Sequence, residues 1–147
     1  MSTSVKTRAS EKFATLSERA TQAEQRVAAA QRQARAEVEH AAEEARTAAQ
    51  AHADKLRENA AAGEARVSDS WKELQTSWSG HLAKVHEDLR SSKAAFGATQ
   101  AENRAEDAEA DAMSAIDYAY GAIEEAEAAV LDAISARMDA DEAISRQ

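Results

Sequence analysis

The sequence predicts an all-α chain, an elongated antiparallel helical hairpin or coiled coil carrying an 11-residue repeat. Three observations predict it. First, alanine occurs 39 times in 147 residues, glycine four times, and proline and cysteine never. Ala, Glu, Arg and Gln are among the strongest helix formers, and no proline interrupts them. Second, apolar residues recur every eleven positions. Leu16 leads to Val27, Val38, Ala49, Ala60, Trp71 and Leu82; Ala23 leads to Ala34, Ala45, Leu56, Val67, Trp78 and Leu89. A third register runs Ala30, Ala41, His52, Gly63, Leu74, Val85 and Phe96. Three apolar sites per eleven residues give about 3.67 residues per turn, a stripe that stays nearly straight along one helix. Third, the aromatic residues are only Phe13, Trp71, Trp78, Phe96, Tyr118 and Tyr120. Most of the apolar content is Ala, which buries little area at about 25 cal/mol per Å². A thick core is therefore out of reach, and helices touching along narrow seams are the expected solution.

Residues 1–9 read as a flexible N-terminus. The stripe keeps its phase from Leu16 to Leu89 and predicts one amphipathic helix over residues 10–95, about 125 Å long at the usual helical rise. Gly63, followed by the capping-box pattern Ser70-x-x-Glu73, permits a bend or break at 63–70. With a break there the chain becomes a three-helix bundle. Residues 96–99, Phe-Gly-Ala-Thr, form the predicted turn, and Thr99-x-x-Glu102 opens an acidic antiparallel helix over 100–145. Glu102, Glu106 and Asp107 suit the positive end of that helix dipole.

A fold centred on Gly97 pairs residue i with about 195 − i. Met113 then meets Leu82, Ile116 meets Trp78 or Ser79, Tyr120 meets Leu74, Ile134 meets Ala60, and Met138 meets Leu56. The expected hairpin seam is Leu56, Val67, Trp71, Leu74, Trp78, Leu82, Val85 and Leu89 against Met113, Ile116, Tyr120, Ile123, Val130 and Ile134. Gly121 falls beside Leu74 and Trp71 on this map. It is either a site of close approach or a tolerated surface glycine. Residues 10–50 overhang the hairpin, and only Phe13, Leu16, Val27 and Val38 exceed Ala in size there. Such an arm is marginal as an isolated helix. It either folds back or is covered by a second copy, and symmetric self-association is the commoner solution.

Charge narrows the function classes. The net charge is −9. Residues 1–62 carry ten Lys/Arg against nine Asp/Glu, residues 63–98 five against five, and residues 99–147 three against thirteen. An acidic last third and a near-neutral remainder disfavour nucleic acid as a partner. No run approaches the roughly 18 apolar residues of a membrane span. Residues 1–10 lack the apolar stretch of a secretory signal, which points to the cytoplasm.

Candidate chemistry is thin. Glu37-x-x-His40 copies the ligand spacing of carboxylate-bridged di-metal bundles, but no second Glu-x-x-His exists to complete such a site. His81 and His86 stand five apart and do not share a face. His52 lies on the stripe, as a polar residue setting register in a buried seam would. Without cysteine there is no thiolate ligand or nucleophile, and neither a nucleophile elbow nor a phosphate loop occurs. The carboxylates Glu124, Glu125 and Glu127 read as a solvated face, because a general acid needs a dry pocket. No catalytic residue, cofactor site or metal site is expected. Trp71 and Trp78 share a face with Leu74 and Leu82, either as core or as an anchor for a protein partner.

The expected role is a self-associating helical scaffold or adaptor without catalytic activity. One alternative is an amphipathic protein that binds lipid droplets, storage granules or membranes, because an 11-residue period also suits a helix lying on an interface. Another is a conditionally folded, stress-protective protein, since residues 10–50 hold few large apolar groups.

Overall fold

The computed structural model describes residues 4–61, 68–91 and 97–147, with the side chains of Ala60, His86, Leu89, Arg90 and Ser91 outside that description. Every regular element among these residues is a helix: α1 over Val5–Ala30, α2 over Arg35–Ala61, α3 over Asp69–Ser91 and α4 over Ala98–Ser145. None of the described helices is long and apolar enough to cross a membrane.

The chain enters α1 earlier than the sequence suggests. Ser4 caps the helix: its hydroxyl accepts a hydrogen bond from the Thr7 N–H at 3.3 Å, and its carbonyl accepts the Arg8 N–H at 3.1 Å. A side-chain oxygen at this position satisfies one of the orphan N–H groups of the first turn. The expected flexible segment 1–9 is thus shortened, with residues 5–9 already helical.

The single helix expected over 10–95 is divided. α1 ends at Ala30, and the chain turns through residues 31–34 before α2 begins. The Arg32 and Gln33 N–H groups bond the carbonyls of Ala29 and Ala30 at 3.0 and 3.2 Å. These i to i−3 bonds tighten the last turn of α1. Beyond the turn, Arg26 Nη2 reaches Glu44 Oε2 at 3.4 Å, so the end of α1 is tied to α2 well inside that helix.

Gly63, on which the expected break at 63–70 partly rested, and the seam residue Val67 lie outside the described residues. α3 itself starts from Ser68, not Ser70. The Ser68 hydroxyl accepts the Trp71 N–H at 3.5 Å and its carbonyl accepts the Lys72 N–H at 3.1 Å. Ser70 is already within the helix, so the expected capping box there does not form. α4 likewise is capped two residues before the expected Thr99. Its N-cap is Gly97 at φ 90°, and no side chain caps it. That φ lies in the left-handed region that favours glycine.

The residues group into two units, 1–24 with 96–147 and 25–95. Within the second, α2 packs against α3. Only residues 62–68 join them, too short a link to run back along a helix about 40 Å long, so the pair is antiparallel. The Gly97-centred map paired α3 with α4 and did not include this contact. In the first unit, α4 runs for 48 residues with none of them buried. The more sheltered positions there are Val5, Ala9 and Phe13 of α1 and Ala126, Val130, Ile134 and Ala140 of α4. Val5, Ala9 and Phe13, like Ala126, Val130 and Ile134, recur at the four-residue step that keeps side chains near one helical face.

Candidate interaction surfaces

The α2–α3 contact is built from small and polar side chains. Ala53 is fully buried and Ser79 is 4% exposed. Small residues at a crossing let two helix backbones approach closely, and here that closeness brings three polar groups together. The Ser79 hydroxyl donates to Asp54 Oδ1 at 2.9 Å, and Gln50 Nε2 donates both to that oxygen at 3.0 Å and to Ser79 Oγ at 3.1 Å. Arg57 Nη2 lies 3.7 Å from the same carboxylate. Hydrogen bonds from Ser79 and Gln50, with the Arg57 charge behind them, hold the Asp54 carboxyl below its usual pKa. Gln75 Oε1, one helical turn before Ser79 on α3, is buried without a hydrogen-bond partner.

None of these polar residues belongs to the expected apolar seam. Trp78 and Leu82 are half-buried, while Leu56, Trp71, Leu74 and Val85 lie at the exposed edge of their helices. His52 is exposed as well, so it is not the buried register residue that the stripe implied. Val67 and the Leu89 side chain lie outside the described residues. Gln50 and Ser79 were missed because neither falls on the 11-residue stripe. Gln50 and Asp54, four apart on one helical face, carried the available signal.

A second feature lies at the elbow between α1 and α2. Arg26, Ala29, Gln33, Ala36, Glu37, His40, Ala41 and Glu44 line an open cleft of about 500 Å³. Glu44 is its focus, with His40 Nε2 2.7 Å from Oε1 and Arg26 on Oε2. His40 therefore turns to Glu44, and the Glu37-x-x-His40 spacing gathers no further ligands. Among the described residues no three His, Asp or Glu side chains converge as a metal site would need.

The third feature is the apolar stripe of α4. Met113, Ile116 and Tyr120 are 60–70% exposed and Ile123 is 47% exposed. Val130 and Ile134, further along the same helix, are half-buried. Gly121 has open space where a Cβ would stand. Of the arm residues, Phe13 is half-buried, whereas Leu16, Val27 and Val38 are exposed.

Comparison of the chain with protein-family models, with curated proteins and with solved structures finds no match.

Proposed function

We propose that the protein is a structural and interaction module, a helical scaffold or adaptor that self-associates and performs no catalysis. The observation that carries this reading is α4: a 48-residue helix with no buried residue and a row of large apolar side chains, Met113, Ile116, Tyr120 and Ile123, open to solvent. A contiguous apolar row of this kind marks an interaction site more often than a neutral surface. It is also continuous in spacing with Val130 and Ile134, the positions that are half-buried.

In this reading the 11-residue stripe is the seam of a coiled-coil assembly. The hairpin expected around Gly97 is one way to close it, with Trp71, Leu74 and Val85 supplying the opposite face. The exposed Leu16, Val27 and Val38 of the arm are covered by a second copy, in the cytoplasm. A lipid surface is the weaker alternative, because the carboxylates along α4 oppose an anionic bilayer.

Sedimentation velocity over a concentration series tests the proposal, since it returns mass and shape together. Self-association predicts a dimer or larger species growing in with concentration. A chain that sediments as a monomer throughout that range removes the scaffold reading, and flotation with lipid vesicles then becomes the discriminating assay.

A further inference from the structure

Resting on the proposed self-association, a more specific arrangement follows from where the charge and the large side chains lie. Nine carboxylates and one arginine fall within residues 98–127. Those carboxylates flank the exposed Met113, Ile116, Tyr120 and Ile123, and none is ion-paired within the described residues. A second α4 laid on this face would bring like charge against like charge along its length, and like-charge neighbours oppose association. It would also set large side chains against large ones, whereas well-packed helix seams alternate large with small.

α1 has the complementary properties. It alone among the four helices is net basic, with five Lys/Arg against three Glu, and Lys6, Arg8, Lys12 and Arg19 are exposed without ion pairs. Its seam, Phe13, Leu16, Ala20, Ala23 and Val27, mixes large side chains with Ala, and Leu16 and Val27 stand open. Length agrees as well. α1 has 26 residues and α4 has 48, so α4 offers about two α1-lengths of surface. The sheltered positions Ala126–Ala140 occupy only its second half.

We infer that the exposed first half of α4, around Met113–Ile123, is the docking surface for the basic helix α1 of a second copy of this chain. Reciprocal pairing, α1 on α4 and α4 on α1, closes a two-fold dimer and leaves no open end.

Charge reversal in the full chain tests this. One variant carries Lys6→Glu, Lys12→Glu and Arg19→Glu; the other carries Glu109→Lys, Asp117→Lys and Glu124→Lys. All six positions are exposed. Each variant alone should self-associate at least about tenfold more weakly than wild type in sedimentation velocity, from three surface ion pairs lost in each of the two reciprocal contacts. An equimolar mixture should recover association, because both reciprocal contacts then carry opposite charges. The neutral variant Glu109→Gln, Asp117→Asn, Glu124→Gln covers the case in which reversal disturbs folding, as checked by circular dichroism. It should associate more weakly than wild type. Tighter association of the neutral variant would mean that α4 pairs with α4, overturning the inference while the scaffold reading stands. Wild-type association with a mixture that stays monomeric also overturns the inference alone. A wild-type chain that remains monomeric overturns both.

Discussion

Asp54 concentrates the chemistry of the α2–α3 contact in one carboxylate. Its depressed pKa means that the ionised form is favoured in the folded pair relative to the free chain. That contribution is fully present above the ordinary carboxylate value of about 3.9 and is lost as pH falls through the lower folded value. The helix pair should therefore keep the full Asp54 contribution near neutrality, be insensitive to pH there, and weaken only in acid. Carboxyl-carbon NMR should place the Asp54 midpoint below about 3.9, and Ser79→Ala should move it upward by removing the first donor. A wild-type midpoint at or above that value would contradict the hydrogen-bond geometry. Ala53 gives the second residue-level expectation. It is completely buried, so Ala53→Leu forces added volume between two close backbones and should lower stability by about 1–3 kcal/mol in a urea melt. No change in the melt would mean that the α2–α3 contact does not form as described. Neither Ala53 nor the donor Ser79 stood out in the sequence: Ala53 is one of 39 alanines, and Ser79 is off the stripe. A polar crossing built on alanine leaves no hydrophobic signature, which is why periodicity located Trp78 and Leu82 but not their closest neighbours.

Helices were the legible level, and their ends were not. Alanine-rich composition without proline made a helical chain the only reasonable expectation, and the last helix was located to within about two residues because Gly97 supplies a left-handed cap. The turn at 31–34 was invisible for the opposite reason: Gln31, Arg32, Gln33 and Ala34 are all good helix formers. What accompanies the turn is tertiary, the Arg26–Glu44 pair across the elbow, and one sequence does not display such a contact. The two glycines of this region divide in the same way. Gly97 has φ 90°, so Gly97→Ala is strained and should cost more than about 1 kcal/mol. Gly121 sits inside α4 with free space around it, so Gly121→Ala should raise the stability of that helix by about 1 kcal/mol. Thermal melts of the two variants should move in opposite directions. A Gly121→Ala variant that melts earlier would mean that something packs against that position after all.

Among the described residues, most of the large apolar side chains are exposed. Small domains that bury too little are commonly completed by other copies. Binding that occurs only between folded chains raises apparent stability by mass action, so the melting temperature becomes dependent on concentration. A wild-type Tm that climbs with protein concentration is therefore the expected signature of the scaffold. The double variant Ile116→Gln, Ile123→Gln separates association from folding. Both side chains are exposed in the single chain, and substitutions at such positions change monomer stability by only about 0.5 kcal/mol. The variant should keep the wild-type helical signal in dilute solution and lose the concentration dependence. A variant Tm that still rises with concentration would move the contact away from Met113–Ile123, to the edge formed by Trp71, Leu74 and Val85. A wild-type Tm that is flat at every concentration would leave the chain as a helical monomer whose open apolar faces need a different partner.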